Sequence, residues 1–190
     1  MSPETVLITG CSDGSIGGGL ARAFAARGLK VIAAARSASS MSALSTQPNI
    51  SLLELDVRSA ESIAAALEKV SVETGGTLDY LVNNAGVAYR VATIEFDDEM
   101  ARALFDVNFW GVLDMCRAFA PLIVRAKGTI VNISSTMGGG GIPLPWNCKY
   151  FQQTTFHLPN QSVKTQPRHP SRTDMSITGA KPYTAPPKLP

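Results

Sequence analysis

Five short apolar runs, separated by stretches of helical period, organise the first 133 residues of this chain. The runs fall at residues 5–9 (TVLIT), 30–35 (KVIAAA), 51–55 (SLLEL), 78–82 (LDYLV) and 129–133 (TIVNI), and helices are expected at 17–27, 60–74 and 99–126. Strands that are apolar along nearly their whole length have both faces buried. Strands separated by crossover helices run parallel. The expected fold is therefore α/β: a doubly wound parallel sheet covered on both sides, with its ligand at the carboxyl ends of the strands.

The remainder of the chain has a different composition. Lys+Arg against Asp+Glu counts 12 and 14 through Tyr150, but 5 and 1 from Phe151 to Pro190. Those last 40 residues hold seven of the 12 prolines, both histidines (His157, His169) and one of the 16 glycines. Neither apolar period is present there, and prolines at 159, 167, 170, 182, 186, 187 and 190 would interrupt a helix or a central strand. Residues 1–150 are expected to fold as one domain, and 151–190 to form a basic, proline-rich, disordered tail.

The overall composition excludes several classes. At 45% hydrophobic and 17% charged residues the chain can build a core, and a net charge of +2 does not suit a nucleic-acid binder. No uninterrupted apolar stretch reaches the roughly 18 residues of a membrane span. The start, Met1-Ser2-Pro3-Glu4-Thr5, lacks the basic-then-apolar profile of a secretory leader. Three cysteines, Cys11, Cys116 and Cys148, are odd in number and show no metal-ligand spacing, so no metal is expected and a reducing, cytoplasmic setting is.

After the first run comes Thr9-Gly10-Cys11-Ser12-Asp13-Gly14-Ser15-Ile16-Gly17, and then a helix. Glycines in such a turn let the backbone approach a diphosphate resting on the positive helix end. A structural turn uses the same residues; the position after the first strand and before the first helix favours dinucleotide binding. About 20 residues further on, a dinucleotide site normally places an acid against the ribose 2′-hydroxyl. Here the chain reads Arg36-Ser37. A guanidinium pairs with a 2′-phosphate that an acid would repel, so NADP(H) is the expected cofactor, against the plainer reading of a solvated strand-end arginine. Asp56-Val57 is placed either to cap the adenine or simply to form a turn.

Asn83-Asn84-Ala85-Gly86 closes the fourth run, and Asn132-Ile133-Ser134-Ser135 the fifth. Together with the Thr9–Gly17 turn, these resemble the short-chain dehydrogenase/reductase family in order and placement, over about residues 5–150. The form of the turn and the later Pro143-Leu144-Pro145-Trp146 resemble a fungal subgroup that includes NADPH-dependent 1-acyldihydroxyacetone-phosphate reductases and secondary-metabolite reductases. The resemblance implies a Rossmann-like fold and reduction of a small-molecule carbonyl to an alcohol. Thr9, Gly10, Ser12, Gly14, Ile16 and Gly17 would line the diphosphate, and Asn84, Ala85 and Gly86 the adenosine ribose. Ser135 would polarise the substrate carbonyl, Asn108 would hold a water of the proton relay (a helix-bending asparagine being the alternative), and Tyr150 would be the acid/base. The subgroup's lipid-linked members make peripheral association with endoplasmic reticulum or lipid droplets compatible with this reading.

The chain departs from that family's pattern in a long loop with four glycines, Gly138–Gly141, and above all after the tyrosine. Family members carry a lysine four residues after the tyrosine, which lowers the phenol pKa and holds the nicotinamide ribose; this chain reads Tyr150-Phe151-Gln152-Gln153-Thr154. Threonine supplies no positive charge, and adjacent Lys149 would point away from the tyrosine's face of a helix. The departure coincides with the change in composition, which one shift of reading frame after Tyr150 would explain: codons TTC-CAG-CAA-ACN read one base later encode Ser-Ser-Lys. The sheet is then expected to be incomplete on its C-terminal side. The family's homo-oligomer, which packs through the helix beginning at the tyrosine, is not expected to form normally. Three readings follow: a carbonyl reductase, a non-catalytic dinucleotide-binding protein, and an unstable truncated product.

Overall fold

Every residue of Thr5–Thr9 (β1) is buried, and successive side chains divide between two cores. Leu7 points to one side and Val6 and Ile8 to the other, the period of two that a strand imposes. Lys30–Ala35 (β2) repeats the division, with Ile32 and Ala34 on the Leu7 side and Val31, Ala33 and Ala35 opposite. The computed structural model describes residues 3–89, 95 and 97–133. They form a five-stranded, wholly parallel sheet. The other strands are Ile50–Glu54 (β3), Tyr80–Asn83 (β4) and Thr129–Asn132 (β5), in the order β3-β2-β1-β4-β5. The order reverses between β1 and β4, and that switch point opens the crevice in which such sheets bind ligands.

Helices cover both faces, as expected. Ile16–Ala26 (α1) lies over the Val6 face with Ala21, joined by Met41 and Leu44 from 3-10 turns at Ala38–Leu44. Ala60–Thr74 (α2) offers Ile63, Ala66 and Val70 to the opposite face, a spacing of three and four that keeps one stripe inward. Its start is capped by the Ser59 hydroxyl, which accepts from Ser62 N at 3.1 Å. The expected helix at 99–126 is three segments: Asp98–Phe105 (α3), a π-helical stretch Asp106–Gly111, and Val112–Ala126 (α4). Met115, Phe119 and Ile123 of α4 are fully buried, each contributing roughly 1.5–3 kcal/mol. The whole stretch Asp98–Ala126 is long and apolar enough in composition to cross a membrane. Here its α4 stripe is packed in the core beside Leu81 and Ile130 of the sheet.

The bounds of β3 and β4 differ from expectation for identifiable reasons, and β5 ends one residue early, at Asn132. β4 starts at Tyr80 instead of residue 78, because the two preceding residues are engaged elsewhere. Leu78 N donates to Leu122 O at 3.2 Å, and the Asp79 carboxylate accepts from Thr5 N and Oγ1 at 2.8 and 2.9 Å. β3 sits one residue earlier than its apolar run, the register being set by Val31 opposite Ile50. The proposed domain limit at Tyr150, Ser135 with Tyr150 themselves, and the tail at 151–190 lie outside the described residues.

Candidate functional site

The β1–α1 turn is held from three sides. Gly10 has a φ of +74°, and a Cβ there would come within 2.8 Å of Ala85 Cα. A Cβ on Gly17 would meet Gly10 O at 2.5 Å and Asn84 Nδ2 at 2.6 Å. These glycines therefore let β1, the start of α1 and the segment after β4 interlock. Gly14, also at φ +74°, is exposed with open space around it, so it faces outward, where a ligand would lie. Ser15 caps α1: its hydroxyl accepts from Gly18 N at 3.1 Å and donates to Gly10 O at 3.0 Å. No acidic residue lies in the first turn of α1 to compete with an anion, and the Ile16 side chain stands 70% exposed beside it.

Asn84, Ala85 and Thr9 form the joint between the two halves. The Thr9 hydroxyl, 2% exposed, accepts from both Asn84 N and Ala85 N at 3.0 Å. In return Asn84 Nδ2 donates to Thr9 O at 2.8 Å and Gly10 O at 3.1 Å. Thr9 and Asn84 are thus tied to one another, and they shape the glycine turn from within. Replacing Thr9 with Val keeps the shape but leaves two amides without an acceptor, which should cost about 2–4 kcal/mol in denaturant unfolding, whereas Thr9→Ser should cost less than about 1. Equal losses for the two variants would mean that the hydroxyl is not holding the joint.

Arg36 is exposed at the carboxyl end of β2, with Ser37 beside it. The Ser37 and Ser39 hydroxyls are 2.7 Å apart, and Ser12 donates to Ser40 at 3.4 Å, so the glycine turn and the segment after β2 meet. Asp13 tightens that contact by accepting from Ser42 Oγ at 2.7 Å and Ala43 N at 3.1 Å. Asp56 makes the turn that was its plainer reading: its carboxylate accepts from Arg58 N at 3.0 Å. The Arg58 guanidinium closes on the same carboxylate, Nε at 3.0 Å and Nη2 at 2.7 Å. These hydrogen bonds hold the Asp56 carboxyl below its usual range against the opposing effect of partial burial. The Val57 side chain is buried in the core, and both its Cγ2 and its main-chain oxygen pack against Gly111.

Asn108 lies in the π-helical stretch, a local widening common at functional positions. Its Oδ1 accepts from Val87 N at 2.9 Å and its Nδ2 donates to Val87 O at 2.8 Å. It thereby clamps the segment following Asn84-Ala85-Gly86. At the ends of β4 and β5, Asn83 Nδ2 donates to Asn132 Oδ1 at 2.8 Å, joining the two strands that lead to Asn84 and Ser134. Burial pushes the Cys11 thiol up to about 11, so it is an inert part of the turn's packing. A surface cleft of about 280 Å³ lined by Lys30, Asn49 and Glu73 lies at the opposite, amino end of the strands.

The family model for short chain dehydrogenases matches residues 4–150. The chain belongs to the short-chain dehydrogenase family. It is 50% identical over 135 residues to a short-chain dehydrogenase of Penicillium ochrochloron, covering 71% of this chain and 50% of that protein. It is 41% identical over 145 residues to an NADPH-dependent 1-acyldihydroxyacetone phosphate reductase of Schizosaccharomyces pombe, covering 76% and 48%. An alcohol dehydrogenase of the archaeon Thermococcus sibiricus, solved with 5-hydroxy-NADP, superposes with a TM-score of 0.68 at 30% identity, covering 75% of this chain and 62% of that one. The chain spans about half the length of the curated relatives it matches.

As a short-chain dehydrogenase the chain has a turn that fits a nicotinamide dinucleotide: an uncontested helix N-terminus, an outward Gly14 and an exposed apolar side chain at Ile16 for a ligand to cover. Reading the sequence missed Arg58, Asp13 and the internal role of Thr9. The spacing Asp-x-Arg at 56–58 permits an Asx turn and was the available signal for Arg58. Nothing in the sequence marks Asp13, whose partners lie about 30 positions away.

Proposed function

We propose that this short-chain dehydrogenase binds NADPH and belongs to a lineage of carbonyl reductases. The observation that carries the cofactor reading is the exposed Arg36 at the end of β2, beside a diphosphate turn whose helix start bears no acid. It is supported by the Schizosaccharomyces relative, named for its NADPH dependence, and by the NADP analogue in the Thermococcus structure. When bound, the cofactor supplies hydride. The chain's own part is to hold and protonate the substrate: Ser135 donates a hydrogen bond to the carbonyl oxygen and Tyr150 gives that oxygen a proton as negative charge develops. Asn108 commits one bond of each polar side-chain atom to Val87, which leaves its second Nδ2 N–H, its second Oδ1 lone pair and its main chain for a water of the proton relay. In this reading the substrate is a small carbonyl compound, and the protein is cytoplasmic.

The cofactor assignment has a direct check. Arg36→Ala should weaken NADPH binding by roughly 1–3 kcal/mol and leave NADH nearly unchanged, as read by fluorescence titration of each. Equal weakening of both would show that Arg36 does not read a 2′-phosphate. The second reading, a dinucleotide-binding protein without catalysis, is favoured by Thr154 at the lysine position, and saturable binding without ketone-dependent NADPH oxidation would select it.

A further inference from the structure

Where β2 and β3 leave the sheet, their ends run side by side: Ala35 is opposite Glu54, and Leu55 N donates to Ala35 O at 2.8 Å. Arg36 therefore emerges next to the segment carrying Asp56. Three carboxylates border this rim, and each is engaged by a neighbour. Asp13 is taken by Ser42 and Ala43, Glu54 accepts from Ala38 N at 3.0 Å, and Asp56 is gripped by Arg58. Among the described residues, Arg36 and Arg58 stand against these three negative charges, and the charge of Asp106 also reaches Arg58. Without Arg58 the rim would set three carboxylates against one cation, which opposes the dianionic group that Arg36 is proposed to read.

We propose that Arg58 is a positioning residue for cofactor choice: held on Asp56 by two guanidinium nitrogens, it neutralises and turns aside a carboxylate of the rim from which Arg36 emerges, leaving Arg36 to pair with a 2′-phosphate. This rests on the NADPH reading above. The geometry suits the task. Nε reaches Oδ1 at 3.0 Å and Oδ2 at 3.2 Å while Nη2 reaches Oδ2 at 2.7 Å, so both carboxylate oxygens are occupied. The main-chain N–H of Arg58 adds a further bond to Oδ1, which anchors the pair to the β3–α2 turn. Arg36 also contributes to lowering the Asp56 carboxyl, behind Arg58, which places the two cations around one acid. The Arg58 and Asp56 side chains are 45% and 30% exposed, so the pair is a rim feature, acting through charge and orientation more than through stability.

The experiment is equilibrium titration of the full chain with NADPH and with NADH. The variants are Arg36→Ala, Arg58→Ala, Arg58→Lys, Asp56→Asn, and the double variant Arg58→Ala with Asp56→Asn. Arg58→Ala is expected to weaken NADPH about tenfold at low salt and change NADH by less than about threefold, Arg58→Lys falling between. Removing the orphaned charge in the double variant should return NADPH affinity to within about threefold of the wild type, a rescue that a purely structural role for Arg58 would not produce. Equal loss of both dinucleotides in Arg58→Ala, or no rescue in the double variant, overturns the proposal. If Arg36→Ala discriminates between the dinucleotides and Arg58→Ala does not, the NADPH reading survives and this one falls. If Arg36→Ala does not discriminate, or the wild type binds neither dinucleotide, both fall.

Discussion

Gly17→Ala is expected to destabilise the chain by about 2–4 kcal/mol and to weaken dinucleotide binding more than tenfold. The added methyl would sit 2.5 Å from Gly10 O and 2.6 Å from Asn84 Nδ2, distances that no side chain adopts. The first obstacle is backbone, so it cannot swing away; α1 must withdraw from the turn instead. Withdrawal also disturbs the Asn84 bonds to Thr9 O and Gly10 O, which hold the β4 segment against the glycine turn. The same substitution two residues on makes a sharp control. Gly19 is exposed in α1 with nothing within 4 Å of its would-be Cβ, so Gly19→Ala should stabilise the helix by about 0.5–1 kcal/mol. Denaturant unfolding of the two variants, with NADPH titration, measures both effects. Similar behaviour of Ala at 17 and 19 would mean that the interlocked turn does not exist in solution.

Ketone reduction by this chain should run on the order of 10³-fold or more below that of a relative with an intact Tyr-x-x-x-Lys motif, while dinucleotide binding persists. A free tyrosine has a pKa of about 10 and gives up its proton poorly near neutral pH without a nearby cation. Thr154 provides none, so on the proposed carbonyl-reductase reading activation of Tyr150 and anchoring of the nicotinamide end would fail together. The residues proposed to hold the diphosphate and adenosine lie on β1, β2, β3 and β4 and the segments after them, and do not include residue 154. Single-turnover NADPH oxidation against a panel of ketones separates the two properties. A rate within about tenfold of the relative would show that another group has taken the lysine's part.

Much of this was legible beforehand because it is local. The apolar runs identified all five strands within two residues of their observed ends, since burial on both faces leaves nearly every residue of a parallel strand apolar. The glycine turn was recognisable because a strand, a glycine-rich segment and a helix follow one another directly in the chain. The π-helical stretch was not. Nothing in Asp106-Val107-Asn108-Phe109-Trp110-Gly111 breaks helical period, and the widening is visible only with Asn108 clamped on Val87 and Gly111 against Val57.

The sequence by itself determined the class of fold and the family, and it located the glycine-rich turn between β1 and α1. These follow from hydrophobic period, glycine placement and short motifs, all of which act within a few residues. Only the tertiary structure decided what the site residues do there. Thr9 and Asn84, 75 positions apart, become a structural joint because β1 and β4 are neighbours across the switch point. Arg36 and Asp56 share a rim because β2 and β3 pair. Hydrogen bonds and charges act through space over a few ångströms, and which residues share that space is settled by strand order, which no local pattern encodes.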